Sequence, residues 1–444
     1  MSSKLVLTTA KAKKGLAGKI RVPGDKSMSH RAVMFSSLAN GTSQITGLLE
    51  GEDVLATLGA FRAMGVEAQG PDNGNLTIKG VGMRGLQAPE QDLDMGNSGT
   101  AMRLMSGILA AQNFASKLIG DESLSGRPMR RVTVPLTAMG ARCATDDNGC
   151  PPIHIRGVEK LDPIDYKLPM ASAQIKSAVL LAGLYADGET SVTEPAPTRD
   201  HTERMLKAYG YECETEKLNE EASTIRLSGG GELTAANIDI PSDISSAAFF
   251  MVAASIVPGS NLILEHVCVN PTRTGIIDVL KSMGADIQLI NPRTIGGEPV
   301  ADINVNYVGL KGTEIDPKLV PLAIDEFPVI CIAAACAEGV TTVSGAEELR
   351  HKESDRIAAM VKGLREIGVD VQEHKDGMVV TGGPIKGGQV ETFNDHRIAM
   401  SFAVAGGVSE GPVIVNEADH VATSFPNFVE LAEKAGLSIA KSGE

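Results

Sequence analysis

A chain of 444 residues exceeds what one hydrophobic core usually serves, and its 43% apolar content suffices for two ordinary domains of about 200 residues each. Aromatic residues make up only 3%, with no Trp, while Ala, Gly, Val, Ile and Leu abound, as in α/β proteins whose helices pack closely on sheets and on one another. A formal charge of −14 excludes nucleic acid and an anionic membrane as partners, and six cysteines without a C-x-x-C pair exclude a disulfide scaffold and give no metal-ligand spacing with the histidines.

The first residues lack a secretory core of roughly 7–15 apolar residues, and no run approaches the ~20 of a membrane span, so an unexported, cytoplasmic chain with reduced thiols is expected. Residues 4–20 then read as one N-terminal strand, after which a pattern recurs six times. A polar or small-residue opening leads into an Ala-rich apolar helix, a β-rich stretch, a second helix and a hydrophobic-Gly-hydrophobic exit. In chain order the exits are Met64-Gly65-Val66, Met139-Gly140-Ala141, Tyr209-Gly210-Tyr211, Met283-Gly284-Ala285, Ile367-Gly368-Val369 and Ala435-Gly436-Leu437. A glycine just past a helix is the usual left-handed cap. In the fifth copy PVICIAAACAEG predicts a buried helix ending at Gly339, VTTVSG a strand, and KESDRIAAMVKGLREIG an amphipathic helix. VDVQEH and GMVVTG follow as two strands around Asp376 and Gly377.

The unit is therefore β-α-β-α-β-β, and six of them divide into three and three. The midpoint falls near 237–241, between the third unit's last strand and the fourth unit's opening. The expected domains are 21–239, and 1–20 together with 240–444, with hinge crossings near 20 and near 240.

Helix N-termini carry unpaired N–H groups and partial positive charge, so an adjacent Lys or Arg makes them anion sites. The six openings are GDKSMSHR (24–31), GNSGTAMR (96–103), MASAQIK (170–176), SDISSAAFF (242–250), IDEFPV (324–329) and FNDHRIAM (393–400), and repetition predicts that they converge. Turns before the second helices add SGRPMRR (125–131), TRDHTER (198–204), NPTRTG (270–275) and HKESDR (351–356). Together they supply Lys26, Arg31, Arg127, Arg199, Lys352, Arg356 and Arg397 with Ser27, Ser172, Gln174, Asp325, Glu353 and His396. Cations and hydroxyls around a few carboxylates suit phosphorylated, carboxylated substrates.

At Gly24-Asp25-Lys26-Ser27 with Arg31, Gly96-Asn97-Ser98-Gly99-Thr100, Arg127-Pro128, Lys352-Glu353-Ser354-Asp355-Arg356 and Asn394-Asp395-His396-Arg397, the sequence resembles the EPSP synthase family, over essentially its whole length. The segments around Ser172, Arg199 and Asn270 look like its class II subgroup. Ala173 and Thr423 stand where class I enzymes commonly have Ser and Lys, and Gly99 where a glyphosate-tolerant class II enzyme has Ala. The resemblance implies a two-lobed inside-out α/β barrel with three repeats per lobe, no cofactor, no metal, and a monomer. It implies that Lys26, Ser27, Arg31, Ser172, Gln174, Arg199, Asp325 and Lys352 bind shikimate 3-phosphate. Lys26, Gly99, Arg127, Gln174, Arg356 and Arg397 would hold phosphoenolpyruvate, Asn97 and His396 would support them, and glyphosate would compete there. Asp325, Glu353 and Lys26 are the acid-base and electrostatic candidates for adding the 5-hydroxyl to the enol carbon and then expelling phosphate. The alternatives are a UDP-N-acetylglucosamine enolpyruvyl transferase, which usually has Lys-Asn where this chain has Lys26-Ser27 and a reactive Cys where 113–127 has none, and a non-catalytic repeat-type binding protein.

Overall fold

The computed structural model describes residues 4–219 and 221–443. Internal packing divides the chain into two units, Gly24–Ile240 with Ile295–Glu298, and Met1–Pro23 with Pro241–Thr294 and Pro299–Glu444. Among the described residues three sheets lie in each. In the second repeat the order is strand Leu93–Asp94, helix Gly99–Leu109, strand Ala115–Ile119, a one-turn helix Glu122–Ser125, helix Arg130–Ala138, then strands Arg142–Ala144 and Ile153–Arg156, which is the β-α-β-α-β-β unit read from the sequence with one short turn of helix added.

The first helix of each repeat is buried at nearly every position, whereas the second is amphipathic. Ile244–Ile256, Phe327–Ala335 and His396–Ala405 are buried at every position. Lys26–Leu38, Gly99–Leu109 and Ala173–Gly183 fill the same place in the other unit. Small residues make such bundles possible: a Cβ on Gly107 would lie 2.2 Å from the Ala178 carbonyl oxygen, so the helices Gly99–Leu109 and Ala173–Gly183 can approach only with glycine there. With helices central and sheets outside, each unit is an inside-out α/β barrel. The six exit glycines all take left-handed backbone, with φ of 89°, 89°, 78°, 89°, 86° and 118° for Gly65, Gly140, Gly210, Gly284, Gly368 and Gly436.

Three expectations need correction. Residues 4–20 form two strands in two sheets: Val6–Ala10 lies between Val413–Asn416 and Ser438–Ser442 in the sixth repeat, and Ala17–Ile20 runs parallel to Asn261–Cys268 in the fourth. The chain turns between them where Gly15 packs on Gly259 too closely for a side chain and Lys11, Lys13 and Lys14 reach water. Second, Leu233–Thr234 and Ile238–Asp239 pair in parallel with Ala39–Thr46, so the tract near the midpoint is the missing opening strand of the first repeat. Third, the fifth-repeat helix stops at Ala335, because the Glu338 N–H is taken by the Leu310 carbonyl at 2.8 Å and the helical ladder cannot run on to Gly339. Among the described residues no helix is long and apolar enough to cross a membrane, no His, Cys, Asp and Glu cluster of three or more could hold a metal ion, and all six cysteines are free.

Candidate active site

In the unit Gly24–Ile240 the first turns of the three central helices meet. Asp25 caps its helix by accepting from the Met28 N–H at 2.8 Å, which places Lys26 at the first helical position, its Nζ 2.9 Å from Asp53 Oδ2. Arg31, one turn on, is buried. Its Nε donates to Thr202 Oγ1 (2.7 Å), and its terminal nitrogens donate to Ser177 Oγ and the Ser27 carbonyl (both 2.9 Å). Burial pulls its pKa down to about 10 despite nearby Glu203 and Asp25. The helix thus reaches both Ala173–Gly183 and His201–Ala208 through one guanidinium.

Ser98 caps the next helix, accepting from Ala101 N–H at 3.1 Å, and Gly99 follows as its first residue. A Cβ at Gly99 would stand 2.9 Å from an Arg103 nitrogen and 3.3 Å from an Arg127 nitrogen. Arg127 donates to Asn97 Oδ1 (2.7 Å) and Ser123 Oγ (3.2 Å), while Asn97 donates to Asp121 Oδ2 (2.7 Å). Ser172 caps the third helix, accepting from Ile175 N–H at 3.4 Å. Gln174 donates to Thr100 Oγ1 (3.0 Å) and accepts from Arg103. Arg199 lies half-buried just before the helix His201–Ala208.

The other unit repeats this design with the sign partly reversed. Arg356 opens the helix Arg356–Glu366 and is only 1% exposed; its Nε donates to Asp395 Oδ2 (2.8 Å), one terminal nitrogen to Glu353 Oε2 (2.6 Å), and the other to Asp325 Oδ1 (3.4 Å). Burial opposes the charge, but Asp395, Glu353 and Asp325 outweigh it and hold the guanidinium well above its ordinary pKa. Lys352 Nζ is 3.5 Å from the same Asp325 oxygen, and Arg397 donates to the Asp325 carbonyl at 3.1 Å. Asp325 itself occupies the turn between the short helices Val320–Ala323 and Phe327–Ala335. His396 is buried at the start of His396–Ala405, and Thr423 ends a short turn with its hydroxyl donating to the His420 carbonyl (2.7 Å). The two residues before Asp395, Phe393 and Asn394, have φ of 55° and 58°, a strained run of the kind found where a structure holds a functional group in place.

Several contributors escaped the sequence reading. Asp395 is fully buried and also accepts from Ser354 Oγ (3.1 Å) and the Arg397 N–H (2.9 Å); the sequence signal was an Asp immediately before an apolar helix, an N-cap pattern. Asp53, the partner of Lys26, opens the amphipathic helix Glu52–Ala63 and resembles any first-turn acid. His30 is buried against Thr57 Oγ1 (2.8 Å) and within 3.4 Å of Ser98 Oγ. Burial, then the charges of Lys26 and Arg31, hold it well below the usual histidine pKa, and it stays neutral. A surface depression lined by Glu189, Glu212, Glu214, Arg226 and Glu232 contains none of these groups.

The chain matches the family model described as EPSP synthase (3-phosphoshikimate 1-carboxyvinyltransferase) over residues 10–431. The chain belongs to the EPSP synthase family. A 3-phosphoshikimate 1-carboxyvinyltransferase of Hydrogenovibrio crunogenus is 58% identical over 96% of each chain, and one of Methylococcus capsulatus is 56% identical over the whole of both. The solved EPSP synthase of Acinetobacter baumannii superposes with a TM-score of 0.89 at 55% identity, covering 99% of this chain and all of that one. An enolpyruvyl transferase, NikO of Streptomyces tendae, shares the fold at a TM-score of 0.77 and 16% identity.

Proposed function

We propose that this chain is a 3-phosphoshikimate 1-carboxyvinyltransferase, which moves the enolpyruvyl group of phosphoenolpyruvate onto the 5-hydroxyl of shikimate 3-phosphate and releases phosphate. The observation that carries the mechanistic part is the cluster of Asp325, Lys352, Glu353 and Arg356, two carboxylates fixed beside cations at a helix start. Asp325 takes the proton of the attacking hydroxyl as its oxygen bonds to C2. Glu353 delivers a proton to C3, giving a tetrahedral ketal phosphate. The C2–O bond to phosphate then breaks, Glu353 recovers a proton from C3 to regenerate the enol ether, and the departing phosphate carries off the proton that Asp325 took. Arg356 keeps Glu353 in one orientation by the 2.6 Å contact, and Lys26 offsets the charge growing on the departing phosphate.

Shikimate 3-phosphate takes Lys26, Ser27, Arg31, Ser172, Gln174, Arg199, Asp325 and Lys352. Lys26, Gly99, Arg127, Gln174, Arg356 and Arg397 receive the carboxylate and phosphate of phosphoenolpyruvate, with Asn97 orienting Arg127 and His396 supporting Arg397. The enzyme works as a cytoplasmic monomer. Glyphosate, a phosphonate with a carboxylate, competes for the same cations. Phosphate release from phosphoenolpyruvate is the test: it should require shikimate 3-phosphate and be absent with UDP-N-acetylglucosamine. Turnover with the UDP-sugar alone would overturn the assignment.

A further inference from the structure

The segment 198–204 carries Arg199 and is held by contacts at Thr198, Thr202 and Glu203. Thr198 Oγ1 donates to Glu194 Oε2 (2.6 Å), Lys176 bridges Glu194 (3.1 Å) and Glu203 (2.7 Å), and Thr202 receives Arg31 and shares a hydrogen bond with Ser177 (2.7 Å). Those partners all come from 24–240. One does not.

Glu298 begins the strand Glu298–Asn306 of a hairpin whose other strand is Asp286–Ile295, and the four-residue tip Ile295–Glu298 packs with 24–240 while both strands continue into the other unit's sequence. Gly296 and Gly297, at φ of 57° and 85°, make the tight turn. At the tip Glu298 Oε1 lies 2.7 Å from His201 Nδ1, with both side chains 0% exposed. Arg204 donates to the Gly297 carbonyl at 2.9 Å and brings its Nε to 3.9 Å from Glu298 Oε2. A carboxylate with no access to water must keep its partners, so the tip and the first turn of His201–Ala208 fix one another. Arg199 lies two residues before His201, and Thr202, which holds Arg31 Nε, is the residue after it.

We infer that Glu298 is a positioning residue for shikimate 3-phosphate: by anchoring His201 it sets Arg199 and the Thr202–Arg31 contact. This rests on the reading that Arg31 and Arg199 bind that substrate. Its sequence origin matters, because the hairpin makes binding by one unit depend on a residue delivered from the other half of the chain.

Steady-state kinetics and calorimetric titration of shikimate 3-phosphate, on the full chain, test the inference. Glu298→Ala should raise the KM and Kd for shikimate 3-phosphate about ten-fold or more, the scale of a small displacement of binding groups, with kcat and the KM for phosphoenolpyruvate at saturating co-substrate within about three-fold. Glu298→Gln keeps an oxygen for the imidazole N–H and should recover most of that loss; Glu298→Asp, with the carboxylate drawn back by one methylene, should fall between. An unchanged KM for shikimate 3-phosphate in folded Glu298→Ala, or an equal rise in both KM values, overturns the proposal. If Glu298→Ala does not fold, the order of Gln and Asp decides: loss in Asp with recovery in Gln supports it, and equal wild-type values in both overturn it. Arg199→Gln in the same assay separates the underlying reading. Loss there without loss in the Glu298 variants refutes only the positioning role, and no loss there refutes the reading itself.

Discussion

Replacing Asp395 by Asn removes the counter-ion of a guanidinium that is 1% exposed while keeping the shape of the side chain. Asp395 accepts four contacts, from Arg356 Nε (2.8 Å) and a terminal nitrogen (3.4 Å), Ser354 Oγ (3.1 Å) and the Arg397 N–H (2.9 Å). An amide oxygen can still receive the Arg397 N–H, but its NH₂ then faces the Arg356 donors. Taking one partner from a buried ion pair costs about 3–5 kcal/mol. Arg356 retains Glu353 at 2.6 Å and Asp325 at 3.4 Å, so the lower part of that range is expected. For units of this size about 3 kcal/mol lowers Tm by roughly 6–12 °C. The pH dependence separates charge from shape. Burial alone would raise the Asp395 pKa, but Arg356 pulls it below the ordinary carboxylate value. Its stabilisation is therefore complete above the unfolded pKa of about 3.9 and is lost as pH falls through the lower folded value. Wild type and Asp395→Asn should differ most at neutral pH and converge in acid, by calorimetry or urea unfolding. A gap under about 1 kcal/mol at pH 7, or one that persists undiminished at pH 3, refutes the argument that the charge on Asp395 holds Arg356 in place.

Glu353→Gln should keep substrate binding within several-fold and lower turnover by about 10²-fold or more, read from phosphate release and from solvent-deuterium entry at C3; near-normal values of both remove Glu353 from the proton transfer. Because His30 titrates far below its unfolded value of about 6.5, the unfolded chain binds a proton that the folded one refuses, and stability should fall by up to about 1.4 kcal/mol per pH unit as pH drops below 6.5. Urea unfolding between pH 7.5 and 5 should show that slope, and His30→Gln should flatten it by one proton's worth. Gly99→Ala should raise the inhibition constant of glyphosate far more than the KM for phosphoenolpyruvate, since the added methyl presses on the ends of Arg103 and Arg127 and the inhibitor is the longer ligand. Proportional changes in the two constants would show that position 99 does not discriminate by size.

The repeat count was legible because its punctuation is local. A helix that ends in left-handed backbone demands glycine, and the six exits at 65, 140, 210, 284, 368 and 436 announce themselves at regular spacing. The inner helices were equally readable, since Ile244–Ile256 and Phe327–Ala335 offer no polar face to water. What stayed hidden were pairings decided far along the chain. Nothing in Leu7 or Thr8 says that their partners are Val415 and Ile414, and nothing in Ile238 says that it completes a sheet begun at Ala39. A strand's own residues specify its period and its buried face; its neighbours are chosen by which edge remains open when the rest has folded.

The same division governs the candidate site. Cations at helix openings stand out because a Lys or Arg beside unpaired N–H groups has a visible consequence, whereas the acids that hold them are indistinguishable in sequence from solvated surface charge. Asp53, Asp395 and Glu298 all belong to the second kind, with exposures of 6%, 0% and 0%. Burial sets them, with a few others such as Asp25 and Glu326, apart from most of the 55 acids of the chain. Each of the three is tolerated inside only because a cation or a histidine meets it within 2.9 Å, and that requirement runs both ways. A buried acid fixes the partner it satisfies. The groups that position Lys26, Arg356 and His201 are thus the ones a sequence reading is least able to find, because their chemistry exists only once the fold has taken them out of water.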